Sequence, residues 1–429
     1  MHKDQFNQAL ISFLNASPTP FHAVATMSEL LRNAGFEELA EDTLWNTCPG
    51  GAYFTLKNGS SILAWREPTA AFGVEAGWRM VGAHTDSPCL KVKPQPEIHR
   101  KGYLQLGVEV YGGVLLNPWF DRDLSMAGRV SYRALDGTLK SGLVDFTDAV
   151  AYIPSLAIHL DREANNTRSI NAQTYLPPIL GQADSKQDFR NLLKGRLLHE
   201  GYDDVADVLD FEISLYDCQG ASMIGLNREF LASARLDNLL SCFIGLQALI
   251  DSPAGPGQVL ICNDHEEVGS VSACGAQGPM LTQWLQRVTP QQANAYQVQA
   301  RSLMISADNA HGIHPNFADR HDDNHGPLLN GGPVIKINAN QRYASNSETS
   351  ARFRDMAQQE QIPVQSFVVR TDMGCGSTIG PLTAAETGIR TVDIGIPQFA
   401  MHSIRELVGA DDPHRLYRVL KRFNETEQV

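Results

Sequence analysis

Apolar residues recur at helical spacing at the start of the chain, where Phe6, Leu10, Phe13 and Leu14 form one face until Ser17-Pro18-Thr19-Pro20 interrupts them. Phe21, Val24, Leu30 and Leu31 predict a second helix that closes at Gly35. Four short apolar runs later in the chain each lead to polar residues. Met80-Val81-Gly82-Ala83 runs into His84, Val259-Leu260-Ile261-Cys262 into an acidic cluster, Leu303-Met304-Ile305 toward Asp308, and Val392-Asp393-Ile394-Gly395-Ile396 toward His402. Such runs predict buried strands of an α/β sheet. Elsewhere Leu104, Leu106, Val108 and Val110 alternate, and a turn signal at Asp136-Gly137 follows Val130-Ser131-Tyr132-Arg133, which predicts a mainly β segment. The polar stretch 161–190, with Asn165-Asn166, Asn171 and Pro177-Pro178, is expected to be a long loop. Helical patterning resumes from Leu236 to Ile250. The expected fold class is therefore α/β: an α/β-sheet domain made of residues 1–92 and 232–429, interrupted by an inserted, mainly β domain at 93–231.

A chain of 429 residues is long for a single core, in keeping with two domains. Its formal net charge of −13 argues against nucleic acid or an anionic membrane as partner, and an acidic substrate would need a local Lys or Arg. The opening Met1-His2-Lys3-Asp4-Gln5-Phe6-Asn7 has no apolar signal region, and nothing later approaches the roughly 20 apolar residues of a membrane span. A cytoplasmic location is expected. The seven cysteines (Cys48, Cys89, Cys218, Cys242, Cys262, Cys274 and Cys375) are odd in number and never spaced CxxC, which speaks against a disulfide framework and a thiolate metal site.

Polar side chains that follow apolar strands gather at one edge of an α/β sheet, where such folds place their ligand sites. His84 and Asp86 in HTDSP, Asp237 in RLDN, Glu266 and Glu267 in DHEEVGS, Asp308 in SADN and His402 in MHS stand at such points. Together they supply imidazole and carboxylate but no thiolate, a donor set that suits zinc, cobalt or manganese. Singly each has a plain alternative: a satisfied strand-end histidine, an N-cap at Asp237, a solvated pair at Glu266-Glu267, a turn-forming Asp86 before Ser87-Pro88. As a set they offer ligands for two metals with a carboxylate such as Asp237 able to bridge, and one acid of the Glu266-Glu267 pair to spare as a base. On an extended backbone the two glutamates would point to opposite sides. Asp86 is placed to orient His84 or the base.

The motifs ASPTPFHAV, HTDSP, IPSLAIHLDR, RLDN, DHEEVGS, DNAHGIHP, GPVIKIN, NQRYASN, CGSTIGP and IPQFAMHS, in this order and spacing, resemble the aspartyl aminopeptidase family of zinc aminopeptidases over almost the whole chain. The resemblance implies an α/β-sheet metallopeptidase catalytic domain and an inserted β domain used for dimerisation, in dimers that assemble into tetrahedral dodecamers. It implies that His84, Glu267, Asp308 and His402 are metal ligands, that Asp237 bridges two divalent ions, that Glu266 is the general base and that Asp86 orients it. The ions would be Zn2+, with Co2+ or Mn2+ as alternatives. It also suggests that His159, in the inserted segment, reaches a neighbouring subunit's site; read without the resemblance, His159 is a polar position in an alternating strand.

The expected activity is hydrolysis of the first peptide bond of substrates with a free N-terminus and an N-terminal Asp or Glu. Lys336 is the candidate cation for that acidic side chain, with Tyr343 as a nearby hydrogen-bond donor; the alternative for Lys336 is an edge-strand lysine reaching solvent. Met373 and Gly374 depart from animal members and are expected to line the pocket for the first residue. The other readings are a deacylase or carboxypeptidase using paired metals, an aminopeptidase preferring neutral residues, and a non-catalytic assembly or metal-buffering protein. An intact Glu266 argues against the last.

Overall fold

The computed structural model describes residues 1–73, 76–182, 188–289 and 295–429. The chain divides into two compact units: Met1–Asp86 with Ala221–Met401 and Glu406–Val429, and Ser87–Gly220 with His402–Arg405. The pattern in the sequence set the corresponding changes at 92/93 and 231/232.

The first unit is built on a nine-stranded sheet in the order Glu37–Glu38, Ala52–Lys57, Ser61–Arg66, Gly257–Asn263, Trp78–His84, Leu303–Ala307, Arg390–Gly395, Val334–Lys336, Gln365–Phe367. Its four central strands, from Gly257–Asn263 to Arg390–Gly395, are parallel. Three of them, Trp78–His84, Gly257–Asn263 and Leu303–Ala307, are buried at every position, which is why Met80–Ala83, Val259–Cys262 and Leu303–Ile305 within them read as apolar runs rather than as alternation. One face carries the helices Lys3–Asn15, Pro20–Asn33, Leu236–Asp251, Ser347–Gln359 and Asp412–Glu425. Phe6 and Phe13 pack on Phe243 with ring centroids 5.3 and 5.4 Å apart, each fully buried ring contributing roughly 2 kcal/mol. The other face is sealed by Trp65, Trp78, Trp284, Met304 and Ile379. The second predicted helix begins where Thr19 accepts the His22 amide and Pro20 takes the first turn, and the chain leaves it through Gly35 at φ 82°.

The two strands that flank Trp78–His84 both come later in the chain and lie one on each side of it. The carboxyl ends of the central strands therefore open a crevice at His84. Register sets Asn263 beside His84 and Ser306 beside Gly82, which brings the residues just past Asn263 and Ala307 level with His84. A five-stranded sheet, Ser222–Ile224, Phe230–Ser233, Glu406–Gly409, Pro397–Phe399 and Ala310–His311, completes this unit.

The second unit is a six-stranded antiparallel sheet, in the order Leu139–Asp145, Leu124–Ala134, Val205–Asp217, Cys89–Arg100, Tyr103–Tyr111, Ile179–Gln182. The helix Phe189–His199 buries Phe189, Leu193 and Leu197 in the same core as the sheet residues Val130, Val144 and Phe211. The stretch 161–190 is not one long loop: the helix Ala172–Tyr175 and the strand Ile179–Gln182 lie within it, the latter paired with Tyr103–Tyr111, while residues 183–187 are outside the described residues. Among the described residues no helix is long and apolar enough to cross a membrane, and all seven cysteines are free.

Candidate metal centre

His84 ends its strand fully enclosed. Its Nδ1 lies 3.0 Å from the Asp86 carbonyl oxygen and 3.3 Å from the Asp86 carboxylate. Both are acceptors, so Nδ1 carries hydrogen and Nε2 faces the crevice. There Nε2 meets Asp237 at 3.4 Å, Asp308 at 3.6 Å and Glu266 at 4.0 Å.

Asp237 does not open a regular helical turn. It and Asn238 have non-helical backbone angles, because Asn238 donates to the Ala307 carbonyl (2.8 Å) and the Asp237 amide to Glu406 (3.1 Å). Nor is the Glu266-Glu267 segment extended: it is a 3-10 turn, Glu266–Val268, whose first two amides donate to the two oxygens of Asp86 at 3.1 Å each. Both glutamates can therefore reach the crevice, and Asp86 orients His84 and both of them together. Two overlapping sets of donor atoms result, His84 with Glu266 and Asp308, and His84 with Asp237 and Glu267, each with its atoms within 4.8 Å of one another.

The electrostatics of this cluster call for cations. Burial, reinforced by neighbouring carboxylates, raises Glu266 to about 7 and Glu267 well above the usual carboxylate range. Burial disfavours the His84 imidazolium, yet Asp237, Asp308 and Asp86 hold its pKa well above the ordinary histidine value. Burial would likewise raise Asp308, but the Lys336 ammonium and His84 hold it well below the usual range. Five carboxyl groups share this space with His84 and Lys336, and protons compensate the charge where divalent ions would bind. The donor set fits such ions.

Lys336 is not an edge lysine. Its strand runs between Gln365–Phe367 and Arg390–Gly395, and only 2% of the residue is exposed. The ammonium donates to Asp308 (3.0 Å) and to the Asn309 carbonyl (3.2 Å) and lies 5.2 Å from the centre of the Tyr343 ring. Tyr343 is buried, and burial and a hydrogen bond with Cys375 raise its hydroxyl pKa. Met373 and Gly374 help to line a cavity of about 320 Å³ with His311, Phe367, Arg370 and Phe399. A Cβ at Gly374 would meet nothing within 4 Å, so the fold itself does not require glycine there.

His402 is grouped with the second unit and is in neither donor set. Its Nδ1 lies 3.0 Å from the Gly113 carbonyl oxygen and donates to it, leaving Nε2 as the basic nitrogen, the tautomer of a metal-bound imidazole. His159 also lies in the second unit, exposed in a turn and not in a strand. Sequence reasoning missed Glu406 and Asn238, which hold Asp237. Neither carries a pattern signal: Glu406 opens a short strand and Asn238 follows Asp237 at a helix start, places where a polar residue is ordinary.

The sequence model of the family described as aminopeptidase I zinc metalloprotease (M18) matches residues 13–424. A relative in Pseudomonas entomophila (strain L48), called a probable M18 family aminopeptidase 2, is 59% identical over the full length of both chains. Among solved structures, one titled as the complex of Ape4 and Nbr1 is 38% identical with a TM-score of 0.95, covering 99% of this chain and 86% of that one. The mApe1 dodecamer of S. cerevisiae is 30% identical with a TM-score of 0.86, covering 99% and 97%.

Proposed function

Since the chain belongs to the M18 family of zinc aminopeptidases, we propose that it removes aspartate and glutamate from the free N-termini of peptides, using two divalent ions. The ions would be Zn2+, with Co2+ or Mn2+ as alternatives, and His84, Asp237, Glu267, Asp308 and His402 are the residues that would hold them. When bound, they polarise the scissile carbonyl and make hydroxide available near neutral pH. Glu266 takes the proton of the attacking water and returns it to the leaving amine, a role that suits a carboxylate at the edge of the cluster, 4.0 Å from His84 Nε2. Asp86 fixes the height of Glu266 through its amide and the tautomer of His84 through Nδ1.

The observation that carries the acidic preference is the hydrogen-bond count at Lys336. An ammonium has three donors, and Asp308 and Asn309 take two of them. The third serves the carboxylate of the first substrate residue, and the ring of Tyr343 holds the ammonium from the side. A second reading, preference for a neutral first residue, draws on the apolar wall of the cavity at Phe367, Met373 and Phe399. Aspartyl, glutamyl, leucyl and N-acetyl-aspartyl anilides, assayed after chelation and after return of each metal, decide between them. A leucyl rate equal to the aspartyl rate refutes the acidic preference, and turnover of the blocked substrate refutes the need for a free amine.

The assembly is a homo-oligomer in which dimers build a dodecamer, a reading supported by the yeast relative's being a dodecamer, and a cytoplasmic location suits seven free thiols. The inserted unit exposes Leu156 (60%), Ile158 (47%) and Leu160 (74%) on one short segment, the kind of apolar surface that a second copy covers. His159 stands within that segment and would enter the partner's site.

A further inference from the structure

The loop from Asn263 to Gly278 contains side chains with no part in the acid–base scheme. His265 immediately precedes Glu266 and has φ 66°, the left-handed region that a non-glycine residue occupies at a cost. Two side chains grip its ring: Ser272 Oγ lies 2.8 Å from Nδ1, and Asp264 Oδ2 lies 3.5 Å from Nε2. The hydrogen positions follow by elimination. Ser272 Oγ accepts the amides of Cys274 (3.3 Å) and Gly275 (2.9 Å), which occupies both its lone pairs. Its one O–H is then donated to Nδ1, so the hydrogen of the imidazole is on Nε2 and faces Asp264.

The chain of contacts continues into the sheet. Asp264 accepts the His265 amide at 2.8 Å, the Asp264 amide donates to Ser61 Oγ at 2.8 Å, and that hydroxyl donates to the Cys274 carbonyl at 2.9 Å. Asn263 donates to the same carbonyl at 3.1 Å. The far side of the loop has little room to relax, since a Cβ at Gly275 would come within 2.2 Å of the Ser270 carbonyl oxygen. Asp86 holds the glutamate amides from the crevice side, and the Ser272–His265–Asp264 chain holds the residue just before them from behind.

We infer that His265 is a positioning residue, locked by Ser272 and Asp264, that sets the aim of Glu266; this rests on the reading of Glu266 as the base. Outer-sphere groups of this kind are worth about tenfold to a hundredfold in activity. Ser272→Ala removes the grip without touching any side chain of the metal cluster. In the full-length, metal-loaded protein it should lower kcat for an aspartyl anilide about tenfold, with KM, metal content and melting temperature close to wild type. Ser272→Thr keeps the hydroxyl and should restore kcat. An unchanged kcat in Ser272→Ala, a loss that appears in KM or metal content instead, or a loss that Ser272→Thr does not repair overturns the inference. Should Ser272→Ala fail to fold, His265→Gly removes the ring and relieves the backbone strain together; wild-type kcat in that variant overturns it equally. Glu266→Gln run alongside separates the two readings: if it keeps wild-type kcat the base assignment fails, whatever Ser272→Ala does.

Discussion

Replacing Lys336 with methionine tests two physical claims at once, because the ammonium that holds Asp308 is also the one proposed to read the substrate. The pair is buried, with 2% of the lysine side chain and 13% of the aspartate side chain exposed and 3.0 Å between charged atoms. Removing one partner of such a pair costs about 3 kcal/mol, because the remaining charge keeps its desolvation cost. In the metal-free protein Lys336→Met should therefore lower stability by that order, seen as a shift in urea midpoint at constant slope. A double-mutant cycle with Asp308→Asn should recover most of the loss as coupling. The substrate contact is a separate quantity. One charge-assisted bond is worth about 1.5 to 3 kcal/mol, so the ratio of aspartyl to leucyl kcat/KM should fall about tenfold to a hundredfold. If stability falls but the ratio stays at the wild-type value, Lys336 is only the counter-ion of Asp308, and the acid-reading group lies elsewhere, with the cavity at Met373 and Arg370 next in line. If neither changes, the ion pair itself is refuted.

Glu266→Gln should retain the metals and lose several orders of magnitude in kcat, whereas Asp237→Ala should lose metal as well; an emptied site in Glu266→Gln beside a filled one in Glu267→Gln would reverse the two roles. The metal-free protein should become less stable as pH rises from about 4.5 to 7. Over that window folded Glu266, raised to about 7, binds its proton more tightly than the unfolded chain does, by an amount on the order of 3 kcal/mol. His84, with its folded pKa also raised, acts in the same direction, its contribution being complete below its unfolded value and lost as pH rises through its folded one. Urea midpoints at pH 5, 6, 7 and 8 in chelator check this, and a midpoint that climbs with pH contradicts it. His159→Ala should lose activity with metals and oligomer intact, and subunit exchange with Glu266→Gln should regain part of it; no recovery despite demonstrated hybrids would return His159 to its own subunit.

What could be read from the sequence was whatever leaves a local pattern. The strand ending at His84 carries the apolar run Met80–Ala83 because both its faces are covered, and the abrupt change to His84-Thr85-Asp86 marks where the sheet stops. The helices at Phe6 and Phe21 show their buried stripes in the same way. The strand Ile179–Gln182 escaped because the stretch around Pro177-Pro178 reads as loop; it is short, lies at the edge of its sheet, and is held by pairing with residues more than 70 positions earlier. Pairing of this kind is set by tertiary contacts and leaves no trace in a local window. The adjacency of His84, Asp237 and Asp308 has the same character: strand order places Leu303–Ala307 beside Trp78–His84 across more than 200 residues, and the sequence suggests the grouping only indirectly, through their places after apolar runs and through the resemblance.

Conformation at single residues was harder still to read. The expectation that Glu266 and Glu267 point apart assumed an extended backbone. A 3-10 turn replaces it because Asp86, a residue 180 positions away, accepts both glutamate amides, and an accepting carboxylate can draw two successive N–H groups to one side only if the chain curls. The same reasoning applies at His265. A histidine at φ 66° has no hydrophobic signature, and neither has a serine seven residues later whose hydroxyl serves two amides and one imidazole. Hydrophobic periodicity records which face of an element is buried, and is silent on how a polar turn is braced. The groups that set the aim of a catalytic side chain belong to the second class, so they emerge only when each donor and acceptor around that side chain is matched to a partner.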